Sequence, residues 1–190
     1  LAPRWQASVN LAYEKRTDSR QYAATRDDGG ASTFGSRYIF SYIDRTELSA
    51  PLRLDYSFTP DLTLELWAEP FAASGRFYDF GELLASESYA LRTYGTDGTT
   101  IATQPDGSHL VTDGATSFTL DNRDFNRLFL RSNLVLRWEW APGSTLYLIW
   151  QQNRSEFDSI GDGVGVGSLG DAITAPGDNF FSIKASYWLG

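Results

Sequence analysis

The stretch RYIFSYIDRTELSAPLRLDYSF, residues 37–58, holds one strict two-residue alternation from end to end. Its even positions read Tyr38, Phe40, Tyr42, Asp44, Thr46, Leu48, Ala50, Leu52, Leu54, Tyr56 and Phe58. Its odd positions read Arg37, Ile39, Ser41, Ile43, Arg45, Glu47, Ser49, Pro51, Arg53, Asp55 and Ser57. Successive side chains of a strand point to opposite faces, so one face is greasy and the other mostly polar and charged. Strands of water-soluble domains usually run about 5–6 residues, whereas a membrane-crossing barrel strand needs roughly 9–11 tilted residues, apolar outward and polar inward. Leu48 to Phe58 fits that span, with Tyr38 to Tyr42 projecting above it. The stretch predicts one strand of an outer-membrane β-barrel.

Five other segments share this pattern. The first sets Trp5, Ala7, Val9, Leu11 and Tyr13 against Arg4, Gln6, Ser8, Asn10, Ala12 and Glu14. The third sets Leu62, Leu64, Leu66 and Ala68 against Thr63, Glu65, Trp67 and Glu69. The fourth sets Leu128, Leu130, Ser132, Leu134, Leu136, Trp138 and Trp140 against Arg127, Phe129, Arg131, Asn133, Val135, Arg137 and Glu139. The fifth sets Leu146, Leu148 and Trp150 against Thr145, Tyr147, Ile149 and Gln151, and the last sets Phe181, Ile183, Ala185, Tyr187 and Leu189 against Phe180, Ser182, Lys184, Ser186 and Trp188. Tight turns at Thr59-Pro60-Asp61 and Ala141-Pro142-Gly143-Ser144 alternate with long connections at 15–36, 71–125 and 152–179. Short periplasmic turns and long extracellular loops are the rule in outer-membrane barrels. Six strands are fewer than the eight of the smallest single-chain barrels. Residues 1–190 are therefore expected to be a single all-β, antiparallel up-and-down barrel domain or the C-terminal portion of a larger barrel. The missing N-terminal strands or other copies of the chain would complete it. The 71–125 connection reads as an extracellular loop with a hairpin, Thr99–Thr103 and His109–Thr112 flanking Gln104-Pro105-Asp106-Gly107-Ser108.

Composition agrees with this class. Hydrophobic residues make up 42% and mean hydropathy is −0.32, as expected where only every second strand residue faces lipid. No apolar run is long enough for a transmembrane helix. Leu1-Ala2-Pro3-Arg4-Trp5 has neither an initiator Met nor a signal-peptide core, so a processed or truncated product is expected. Zero Cys excludes disulfides and thiolate chemistry. A net charge of −8 argues against nucleic acid as a partner. Aromatics at 15% suit either interfacial girdles or a sugar-binding surface.

Several stretches resemble a bacterial β-barrel domain family of unassigned function that usually follows an N-terminal module similar to the ninth family of carbohydrate-binding modules. They are Leu54 to Leu64, Ala68-Glu69-Pro70-Phe71, Ser74-Gly75, Tyr78-Asp79-Phe80, Tyr94 to Ile101 and Asp124-Phe125-Asn126. The strongest is Leu136 to Leu146 with Trp150-Gln151-Gln152, and Ser186-Tyr187-Trp188-Leu189-Gly190 matches the family's end. The resemblance covers roughly 38–190 and implies an outer-membrane barrel of Gram-negative-type bacteria. It supplies no catalytic residues.

Chemical motifs point away from catalysis, and no cofactor is expected. Gly165-Val166-Gly167-Ser168-Leu169-Gly170 spells the dinucleotide fingerprint, but Pro176-Gly177 follows closely and a flexible loop is expected. His109, the only histidine, reads as a solvated loop residue. Glu65 and Glu69, four apart on a strand, lie about 13 Å apart, beyond the roughly 5–9.5 Å of a glycosidase pair. Arg53, Asp55, Glu65, Glu69, Arg127, Arg131, Arg137, Glu139 and Lys184 instead read as a lumen-facing ladder of opposite charges. Asp27-Asp28-Gly29-Gly30 and Asp158 with Asp162 read as acidic turns rather than Ca²⁺ loops. Trp5, Tyr13, Tyr56, Phe58, Trp138, Trp140, Trp150 and Tyr187 read as a lipid-facing aromatic girdle. The expected protein is a non-enzymatic outer-membrane wall with a polar lumen, touching outer-membrane lipid and passing solutes or binding a surface ligand. The alternative is a secreted soluble β-sandwich whose aromatics bind carbohydrate.

Overall fold

The computed structural model describes residues 4–189; Leu1, Ala2, Pro3 and Gly190, invoked above, lie outside the described residues. The architecture is all-β and antiparallel. β1 (Trp5–Val9) and β2 (Ala12–Arg26) run in line, and so do β3 (Arg37–Ser49) and β4 (Leu52–Thr59). β5 (Leu62–Leu83) pairs with both of them, and β10 (Phe125–Ala141), β11 (Ser144–Asp158) and β12 (Gly177–Ser186) follow in sequence order. The result is a meander, with tight turns at 60–61 and 142–143 at one end and the long connections at the other. Among the described residues the β1/β2 edge and β12 do not pair with each other, so the sheet is open.

Residues 37–58 do not form one unbroken strand. Proline has no N–H to give the ladder, and at Pro51 the strand lapses for two residues. The neighbour lapses at the same level: Ala12 pairs with Ser49 and Val9 with Leu52, and Asn10 N–H donates to the Pro51 carbonyl at 2.9 Å. Several strands also outrun their sequence-based limits. β2 reaches Arg26 where a connection was expected from Lys15, β5 reaches Leu83 rather than ending before Phe71, and β11 reaches Asp158. The long connections accordingly shrink to 27–36, 84–124 and 159–176.

The 84–124 connection builds a small second layer. β6 (Leu91–Thr93) pairs with β5, and β7 (Thr99–Thr103), β8 (His109–Asp113) and β9 (Thr116–Leu120) form a three-stranded meander. The expected hairpin is β7–β8; β9 completes it. A bulge docks this cap on the wall. Ser41 faces two residues, Asp79 and Phe80, because Phe40 pairs with Gly81 while Tyr42 pairs with Tyr78. Asp79 takes the left-handed region at φ 49°, and the extra residue shifts the alternation. Phe80 and Ile39 thereby meet Ala23 of the wall and Tyr94, Val111, Phe118 and Leu120 of the cap in one buried cluster. Each large apolar side chain so buried contributes about 1.5–3 kcal/mol. This reverses the expectation for the loop end of β3, where Ile39 and Ile43, assigned to the polar face, are fully buried while Tyr38 and Tyr42 are exposed.

The dinucleotide-like segment is helical rather than a flexible loop: α1 spans Val166–Thr174. Pro176 lies past the end of α1 and so limits its length without preventing it. Leu169, with Val164 ahead of it, packs on Leu48, Ala72 and Leu128, and Ala172 is buried too, so tertiary contact overrides the poor helix propensity of Gly167 and Gly170. β11 and β12 pair antiparallel on either side of it, so no parallel β-α-β unit exists to bind a dinucleotide.

Candidate functional site

The pairing registers fix the two wall faces level by level. On one face, the level of Leu62 and Trp138 is followed by Leu64 with Leu136, Leu66 with Leu134, Ala68 with Ser132, Pro70 with Leu130 and Ala72 with Leu128. The next level, Ser74 with Asn126, is polar. Leu52, Leu54 and Tyr56 of β4 join this band, as do Leu146, Leu148 and Trp150 of β11 and Phe181, Ile183 and Ala185 of β12. On β5 and β10 the apolar band therefore ends at Ala72 and Leu128, whereas on β11 and β12 it ends at Trp150 and Phe181. From Leu62 to Ala72 is about 33 Å along the strand at 3.3 Å per residue, or roughly 25 Å after a tilt near 40°.

The aromatic residues gather at the turn end of this band. Trp5 pairs with Tyr56, which meets Phe58 edge-on at 4.7 Å, and Trp138 meets Trp140 at 6.3 Å. Tyr187, just beyond β12, is exposed at the same end, next to Trp188, whose N–H donates to the Ser144 hydroxyl. Tyr13 stands opposite Leu48 near the other limit, and Trp150, stacked on Phe181 at 5.8 Å, sits inside the band. Of the expected girdle, Trp150 thus lies away from either limit of the band on β5 and β10.

The opposite wall face carries Arg53, Asp55, Glu65, Glu69, Arg127, Arg131, Arg137, Glu139 and Lys184, but not as a ladder of opposite charges. Asp55 pairs with Glu65, a like-charge pair that costs rather than stabilises. Glu69 pairs with Arg131 without an ion pair between them, Arg53 pairs with Trp67, Arg127 with Ala73 and Lys184 with Tyr147. Among the described residues, Arg137 with Glu139, at 2.7 Å within one strand, is the only ion pair these nine form. The face presents dispersed charge of both signs.

A buried charge cluster that sequence reading missed joins the cap to the wall. Arg37 Nη1 donates to Glu82 Oε2 at 2.9 Å and to Asp113 Oδ2 at 2.8 Å. Arg92 donates to Glu82 Oε1 at 3.3 Å and to both Asp113 oxygens at 3.2 and 3.1 Å. Burial lowers the Arg37 pKa, but the Asp113 hydrogen bond and the Glu82 charge outweigh it and leave the guanidinium more firmly protonated. Bonds from Arg92 and Arg37 hold the Asp113 carboxyl below its ordinary value. Burial and then Glu82 push the Tyr94 phenol up. Phe118 lies under both Arg26 and Arg37, at 4.5 and 5.5 Å. The four charges cancel, and no reactive group is left exposed among them. They lie up to 76 residues apart, which no local motif could reveal.

His109 is half-buried rather than solvated. Its ring lies 4.8 Å from Phe80, Nδ1 is 3.2 Å from the Thr103 hydroxyl, and burial lowers its pKa. It borders a cleft of about 310 Å³ with Arg76, Tyr78 and Asp124, where Phe77 N–H donates to Asp124. Asp28 binds Arg26 and Arg37, and Asp158 accepts from Ser159 N–H. Among the described residues no three His, Cys, Asp or Glu side chains converge as a metal set. No helix among them is long and apolar enough to cross a membrane, which says nothing of crossing by strands.

The chain belongs to a family described as a domain of unknown function, DUF5916, whose model matches residues 1–190. The match takes in 1–37 as well as the stretch that carries the resemblance noted above. No curated protein and no solved structure matches the chain.

Proposed function

We propose that this member of the DUF5916 family forms part of the wall of a transmembrane β-barrel in a bacterial outer membrane, with no enzymatic activity. One observation carries the reading: an apolar band crosses β4, β5, β10, β11 and β12 at matching levels from Leu64 to Leu66, reaches Ala72 and Leu128 on β5 and β10, and is backed by a charged face. On β5 and β10 its roughly 25 Å equals the height of the apolar belt of such barrels, and the aromatics at its turn end suit a headgroup boundary. The face bearing Arg53, Asp55, Glu65, Glu69, Arg131 and Lys184 then lines an aqueous lumen. Dispersed charge of both signs there suits passage of small polar solutes without strong ion selectivity. The open edges receive further strands, and the cap stands outside the membrane as a surface for ligands.

The test is a face-selective pair of charges on one strand. Leu134→Arg places a cation at the centre of the band and should abolish assembly into the membrane fraction. Asn133→Arg, one residue away on the other face, should leave assembly unchanged. Equal tolerance of both would remove the membrane reading.

A further inference from the structure

The apolar band is incomplete along β11. At the levels of Ala68, Pro70 and Ala72, where β5 and β10 remain largely apolar, β11 presents Gln152, Arg154 and Glu156 on the same face. Side chains of this kind are costly against hydrocarbon. α1 lies over this part of the wall. Its buried side covers Leu48, Ala72 and Leu128, the last apolar level, and Arg154 Nη1 donates to the Ala175 carbonyl just past its end at 2.9 Å. Gln152 is engaged by Ser132 and Asn179 at 3.1 and 3.0 Å.

One flank of α1, beside its buried side, is apolar as well, while Gly167, Asp171 and Thr174 lie opposite the buried side. Val166 is 74% exposed and Ile173 52% exposed, with Gly170 between them on the same stripe. Below Ile173 opens an almost wholly apolar cleft of about 370 Å³, lined by Leu52, Leu66, Pro70, Leu130, Leu134 and Trp150 among others. No charged side chain lines it, and it runs without a step into the band. Val166 and Ile173 thus carry the apolar surface of the helix beyond its buried side along one flank.

The geometry points to α1 as a lipid-facing patch that replaces the missing upper part of the band, with an acyl chain of a membrane lipid lying in the cleft beneath Ile173. This rests on the membrane reading of the wall. The end of the helix caps Arg154, and its flank offers Val166 and Ile173 to hydrocarbon, while Glu156 stays exposed on the side of Asp171. Asp171, exposed on another side of the helix beside Glu156 and Asp158, faces the aqueous loop region.

Because the chain has no Cys, single labels can be placed cleanly. Ile173→Cys, Leu134→Cys and Asp171→Cys are each coupled to an environment-sensitive fluorophore in the full protein, reconstituted in phosphatidylcholine vesicles carrying brominated acyl chains. The inference expects strong acyl-chain quenching at 173, comparable with that at 134, and weak quenching at 171. Quenching at 134 but not at 173 overturns the patch and spares the barrel. Quenching at neither position overturns both.

Discussion

Replacing Asp113 with Ala removes three charge-assisted hydrogen bonds at once, two from Arg92 and one from Arg37. Arg37 keeps Glu82 and Asp28, and Arg92 keeps Glu82 and the Asp97 carbonyl, so neither cation is stripped bare. Breaking a fully buried ion pair from one side costs about 3–5 kcal/mol. The side chains here remain 12–24% exposed, so water returns in part and the lower limit, about 3 kcal/mol, applies. At 1.4 kcal/mol per tenfold, this is roughly a hundredfold rise in the opening constant of the cap. Because the cap meets the wall through this cluster and the Phe80 cluster, the opening is local. Amide exchange reads it directly. Protection should fall about a hundredfold in β8 and β9 and hold in β10 and β11 at Leu134 and Ile149. Loss of less than about threefold in the cap would refute the assignment of the cluster as its fastening. So would equal loosening of β10 and β11.

Three further outcomes are expected. Phe80→Ala should open the cap by about 3–5 kcal/mol, since it empties the centre of the buried cluster, and the loss should again spare β10 and β11 by amide exchange. Lowering pH should open the cap in two steps: His109 and Asp113 both have lowered folded-state pKa values, so each adds stability above its ordinary value that fades as pH falls below it. The first step starts below 6.5 and is absent in His109→Gln, and the second starts below 3.8; a cap whose protection is flat from pH 7 to 3 contradicts this. Gly161→Ala should cost at least about 1 kcal/mol, because its φ of +73° strains any L side chain. A Cβ there would also meet the Asp124 Cβ at 2.9 Å and the Gly75 carbonyl at 3.0 Å, and the loss should appear as faster exchange in α1.

The strands were legible because their signal is local. Alternation at Trp5–Tyr13, Tyr38–Phe58, Leu62–Ala68 and Leu128–Trp140 needs only adjacent residues, and Thr59-Pro60-Asp61 and Ala141-Pro142-Gly143-Ser144 needed only turn chemistry. Strand limits were not, since β2 beyond Glu14 and β5 beyond Ala68 lose clean alternation where the second layer covers the other face. The bulge at Asp79 has no residue signature; its αL position is held by the pairing of β3 with β5. Only the folded registers revealed that Asp55 faces Glu65.

α1 shows why the same sequence can read correctly in its strands and wrongly between them. Gly165, Gly167 and Gly170 lower helix propensity, and Pro176 follows, so every local rule argues for a loop. What decides otherwise is a gap elsewhere: the polar run Gln152, Arg154 and Glu156, beside Leu130 and Leu128 of β10, where β5 and β10 stay largely apolar. Uncovered, Arg154 would end the band two levels early on β11. Covered by α1, it donates to the Ala175 carbonyl, and Leu169 buries itself against Ala72 and Leu128 beside it. Gly165, Gly167 and Gly170 face open space, so none of them is required by a close contact. The helix and the polar run of β11 are two halves of one feature, and neither is explicable from its own residues alone.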